Sequence, residues 1–165
     1  MKRTLVLFAA FLTALAASSS SFAAPGPDAP GSKMITVQAG AFPGFGGLLS
    51  GQIAMARLGQ GHLYGGLQLG GNYRHGAASD AKKIDLSVAP RLLYGFNLGR
   101  VVEMHFGGLA GVDVQHFDSL KSSLVFCYGG FGGLRLNLSS SVGIVLEGCY
   151  SNCLPYATAG LAFRF

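Results

Sequence analysis

The sequence predicts an all-β fold: an eight-stranded antiparallel up-and-down transmembrane β-barrel that follows a cleaved signal peptide. Three observations carry this reading. From residue 34 onward, apolar residues alternate with small or polar ones at period 2, and no 3.6-residue stripe interrupts them. The polar face of these segments is sparse, with single charges of both signs set among glycine, alanine and serine. The connections between segments alternate in length, which sorts them onto two opposite rims.

The N-terminus reads as an export signal. Lys2 and Arg3 form a basic start, and residues 5–17 are apolar except for Thr13. Ser21 and Ala23 place small residues at −3 and −1 of a cut between Ala23 and Ala24. The apolar run is shorter than the ~20 residues a spanning helix needs. Residues 1–23 are therefore expected to be removed, residues 24–33 to form a Pro/Gly-rich N-terminal linker, and residues 34–165 to form the barrel.

Three weaker strands come first, over 34–42, 47–57 and 62–73. The clearest alternation follows: Ile84, Leu86, Val88, Pro90, Leu92, Tyr94 and Phe96 against Asp85, Ser87, Ala89, Arg91, Leu93 and Gly95. The next strand opposes Val102, Met104, Phe106 and Val112 to Glu103, His105, Gly107 and Asp113. Segments 124–138 and 141–150 repeat the pattern, with Arg135 and Glu147 on their polar faces. The last, 157–165, sets Ala157, Ala159, Leu161, Phe163 and Phe165 against Thr158, Gly160, Ala162 and Arg164. The even number of strands lets both termini share a rim with the short turns LGQG, NLGR and LSS. The longer links, 74–83 and 116–123, fall on the other rim with the compact PGFGG and SNCL.

The sparse polar face decides between a barrel in lipid and a sandwich in water. A solvated face would be rich in Lys, Glu and Thr, whereas isolated charges among small residues suit the side-chain-filled lumen of an eight-stranded barrel. Asp85, Arg91, Glu103, Asp113, Arg135, Glu147 and Arg164 are expected to form a charge network there, because an unpaired buried charge costs several kcal/mol. His105 and Glu103 are expected to pair with Arg91 across the adjacent strand. The apolar faces then meet lipid, and closure leaves no strand edge unpaired in the bilayer. Arg57 falls on the lipid face by parity, so it either snorkels to a rim or follows a bulge.

The net charge of +5 includes Lys2 and Arg3, and the remaining charges are scattered apart from Lys82-Lys83. No basic face forms, so no nucleic-acid partner is expected. Lys82 and Lys83 could meet anionic lipid head groups or simply end a solvated loop. An exported chain permits disulfides, and three cysteines leave at least one unpaired in a monomer. The candidate bonds are Cys149–Cys153 and Cys127–Cys149, and no metal site is expected. None of the four histidines has a serine two residues on; His116, Asp118 and Ser119 at a loop rim come nearest. No catalytic residue and no cofactor are expected.

The ending AGLAFRF resembles the closing strand of the small outer-membrane barrels of the OmpX, OmpA and OmpW type. That resemblance implies an outer-membrane location with both termini periplasmic. It also implies recognition of Phe165, supported by Phe163 and Leu161, by the barrel-assembly machinery. The absence of tryptophan departs from the usual interfacial girdle and leaves that role to Tyr and Phe. The expected function is structural or surface-interacting, as a monomer contacting outer-membrane lipid and lipopolysaccharide or its equivalent, with a host or surface ligand at the loops. The alternatives are a passage for small, including apolar, solutes and, third, a lipid A-modifying enzyme.

Overall fold

The computed structural model describes residues 29–41, 44–75, 82–99, 101–117 and 120–165. The expected signal peptide and its cleavage site lie outside these residues, as do Asp118 and Ser119. The described chain forms eight antiparallel strands closed into one barrel. They are β1 (Lys33–Ala41), β2 (Phe45–Leu58), β3 (Gly61–His75), β4 (Lys82–Asn97), β5 (Val102–Phe117), β6 (Leu120–Asn137), β7 (Val142–Ser151) and β8 (Ala157–Arg164). Each pairs with its sequence neighbours, and β1 closes on β8 from Met34↔Arg164 to Ala41↔Ala157.

The period-2 pattern produces the expected two faces. Exterior positions such as Leu86, Leu92, Phe106, Phe126 and Tyr128 are exposed, and the largest exposures reach 71% at Leu124 and 83% at Tyr150. Interior positions are buried whether polar or apolar, including Asp85, Arg91, Glu103 and Leu93. This inverts the distribution of a water-soluble sheet.

Two features depart from the expected outline. The link expected over 116–123 is largely strand, since β5 runs to Phe117 and β6 begins at Leu120. The link expected over 74–83 narrows likewise, with Arg74↔Lys83 and His75↔Lys82 paired. Backbone pairing needs no apolar face once strands leave the lipid, so polar residues extend the ladder. The consequence is an uneven rim. β6 has 18 residues, but β7 accompanies it only from Gly129↔Ser151 downward. Strands β3–β6 therefore stand above β7, β8 and β1 on the rim opposite the termini.

The second feature is a register shift between Ala54 and Ala56 in β2. Beyond it Arg57 lies opposite His62, which is buried in the lumen. The bulge thus moves Arg57 off the lipid-facing parity to the lumen side of the rim, where it is exposed.

Candidate functional site

The lumen is built from residues that alternation turns inward, and its polar groups meet in three layers. Nearest the termini, Glu103 of β5 lies directly opposite Arg135 of β6. Its Oε1 accepts from Arg135 Nη1 at 2.6 Å, and its Oε2 accepts from Arg164 of β8. One carboxylate therefore bridges β6 to the strand that closes the barrel.

The middle layer centres on Glu147 of β7. Its Oε1 accepts from Arg91 Nη2 at 2.8 Å and lies 2.9 Å from His105 Nε2, while its Oε2 accepts from Gln38 Nε2 at 3.2 Å. Arg91 also donates to Gln68 Oε1 at 2.7 Å, and its guanidinium lies 4.0 Å over the Phe131 ring. These contacts link β1, β3, β4, β5, β6 and β7 across the lumen. All four groups of the Arg91–Glu147 and Arg135–Glu103 pairs are nearly solvent-free.

The outer layer lies toward the opposite rim. Asp85 is ion-paired with Arg74, Oδ2 to Nε 3.1 Å, and with Lys83, Oδ1 to Nζ 3.2 Å, and Asp113 accepts a hydrogen bond from Gln115 Nε2 at 2.9 Å. Among the described residues, no cluster of His, Cys, Asp and Glu could hold a metal ion.

Several partners differ from those expected. Glu103 pairs with Arg135 and Arg164, and His105 with Glu147; neither meets Arg91. In the β4–β5 register Arg91 lies opposite Leu109, six residues along β5 from Glu103. At roughly 3.3 Å per residue that offset is too large for a contact. Arg91 instead reaches across the barrel. The disulfide also differs, because Cys127 bonds Cys153 and leaves Cys149 as a buried free thiol. Register explains this: Cys149 lies opposite Phe131, four residues along β6 from Cys127. At roughly 3.3 Å per residue that height difference exceeds what a disulfide spans. It is Cys153, just beyond the end of β7, that comes level with Cys127, at a Cα–Cα distance of 5.8 Å.

Ser122 was not singled out from sequence. Its Oγ lies 3.0 Å from His116 Nδ1, on the outer face of the β5–β6 hairpin. Two antiparallel strands bring these residues together, a pairing that same-strand spacing rules do not detect. Among the described residues, no carboxylate bonds the His116 ring.

At the closing strand, Phe165 donates its N–H to the Lys33 carbonyl at 2.9 Å and accepts the Lys33 N–H at 3.1 Å. Leu161 and Phe165 are exposed on the exterior. Phe163 lies opposite Ile35 of β1 and is half-buried.

The apolar exterior and ion-paired interior define a small eight-stranded barrel of the outer-membrane type. Solved structures agree on the fold. The Neisserial surface protein A structure is 13% identical over 81% of this chain and 94% of that one, with a TM-score of 0.58. Ail, the attachment invasion locus protein of Yersinia pestis, is 16% identical over 83% of this chain and 100% of that one, with a TM-score of 0.53. A structure reported for the de novo design of transmembrane β-barrels is 13% identical over 84% and 98%, with a TM-score of 0.55. No family model and no curated protein matches the chain. The similarity is one of fold.

Proposed function

We propose that this chain is an integral protein of a bacterial outer membrane, non-enzymatic and monomeric, with a structural or surface-interaction role and both termini periplasmic. The observation that carries the reading is the pairing of an apolar exterior with a lumen filled by ion-paired side chains. Arg91, Phe131, His105 and Glu147 occupy the middle of the barrel, which opposes passage of solutes. The raised β3–β6 wall supports a surface role, since its polar strand ends stand clear of the low β7–β8–β1 side. The final strand would be read by the barrel-assembly machinery through Phe165, Phe163 and Leu161. The test is conductance after reconstitution into planar lipid bilayers. A silent bilayer is expected, whereas stepwise conductance would overturn the filled-lumen reading and favour small-solute passage.

The His116–Ser122 pair favours a second reading, because a hydroxyl and an imidazole within hydrogen-bond reach can act as nucleophile and base. On the outer face of a rim they would act on a membrane lipid. Expression should leave lipid A mass unchanged. Loss of an acyl chain that Ser122→Ala abolishes would replace the first reading with this one.

A further inference from the structure

The β7–β8 connection turns into the barrel. Cys153 and Leu154 are 1% and 2% exposed, and Pro155 is fully buried. Leu154 joins the lumen's apolar cluster with Leu48, Leu109, Phe131 and Cys149. Its seat is cut by glycines: a Cβ on Gly70 would lie 2.7 Å from Leu154 Cδ2. Cβ atoms on Gly40 and Gly46 would lie 2.7 and 3.0 Å from Pro155. The segment is tethered on its other side to β6. Cys153 is bonded to Cys127, and the Asn152 side chain donates to the Phe126 carbonyl at 2.7 Å and accepts the Tyr128 N–H at 3.0 Å.

We propose that residues 152–156 form a disulfide-latched plug over an apolar chamber in the half of the lumen away from the termini. Unlatching opens that chamber to a short aliphatic molecule. Withdrawal of Leu154 and Pro155 leaves a space walled by Leu48, Leu109, Phe131 and Cys149. The Ser87 hydroxyl edges this space beside Gly70. The rest of the wall offers little to a polar guest, and an apolar guest restores the packing that a void forfeits. The Arg91–Glu147 pair and Phe131 close the floor, so the guest binds and does not pass. The latch opens by reduction with an external dithiol. One thiolate attacks a sulfur of the Cys127–Cys153 bond, and the second then displaces it from the mixed disulfide. The dithiol becomes a cyclic disulfide, while Cys127 and Cys153 each gain a proton as thiols.

Cys149 beneath the plug is a built-in reporter. In Cys127→Ser/Cys153→Ser protein folded into phosphatidylcholine vesicles, Cys149 is the sole thiol. Its alkylation by N-ethylmaleimide should run about tenfold or more faster than in oxidised wild type, because labelling follows the open population. Hexanol should slow that labelling, and sorbitol should not. An unchanged rate would overturn the latch, since the plug would then stay seated without its bond. Equal rates with and without hexanol would overturn the aliphatic site. Should the double variant not fold, oxidised wild type already in vesicles is treated with dithiothreitol and alkylated. Modification of Cys149 supports the latch, and a Cys149 left unmodified beside alkylated Cys127 and Cys153 overturns it.

Discussion

Replacing Glu147 by glutamine keeps the shape of the side chain and removes the negative charge that faces both Arg91 and His105. In the folded barrel Arg91 is 3% exposed and holds its Nη2 2.8 Å from Glu147 Oε1. Its remaining partners are the neutral Gln68 and the Phe131 ring. The new amide nitrogen has a poor place to go. Turned toward Gln38 it opposes that residue's Nε2, whose Oε1 already accepts from Thr158. Turned the other way it meets Arg91 and His105. Breaking a buried ion pair by removing one partner costs about 3–5 kcal/mol. With a urea dependence of roughly 1–3 kcal/mol per molar, the midpoint should fall by about 1–5 M. The assay is urea unfolding in lipid vesicles, followed by far-ultraviolet circular dichroism and by loss of the unheated gel band. The double substitution Arg91→Met/Glu147→Met should recover much of the loss, because neither charge is then stranded. A Glu147→Gln midpoint within 0.5 M of wild type, a span of roughly 1 kcal/mol, would refute the ion-pair account.

Three further outcomes follow from the geometry. An added Cβ at Gly160 would run into the Val37 carbonyl oxygen and the β1 backbone at the closing seam. Gly160→Ala should therefore lose roughly 1–3 kcal/mol in the same assay. Gly108→Ala, whose Cβ would find its nearest neighbour at 3.5 Å, should stay near wild type. Val88 and Val112 face each other on the exterior near mid-strand. Val88→Arg should cost about 2–4 kcal/mol in vesicles, as a lipid-facing position requires. A change within about 0.5 kcal/mol, typical of a water-facing site, would contradict that placement. Deletion of Phe165 should lower the amount of folded protein in the outer membrane of expressing cells while leaving refolding into vesicles intact. Equal losses in both would mean that Phe165 acts through its Lys33 backbone pair alone.

The two faces of each strand were legible because side chains alternate with a period of two, and the charges at Asp85, Arg91, Glu103, Asp113, Arg135, Glu147 and Arg164 all lie inside the barrel. Which charge meets which was not legible. Partners depend on the stagger between strands and on reach across the lumen, so Arg91 finds Glu147 three strands away. The same stagger hid the Cys127–Cys153 bond, which needs the relative heights of β6 and the β7–β8 connection. Parity along β2 misplaced Arg57 because a bulge adds a residue without a composition signal. Strand ends at 117 and 120 were hidden because polar residues beyond the lipid carry no alternation to read.

Folding from urea into preformed lipid vesicles, compared with dilution into lipid-free buffer, tests the central claim most directly. The account predicts a compact, heat-modifiable, protease-resistant species with β-type circular dichroism only when lipid is present. A soluble, folded monomer of the same resistance in lipid-free buffer would contradict it.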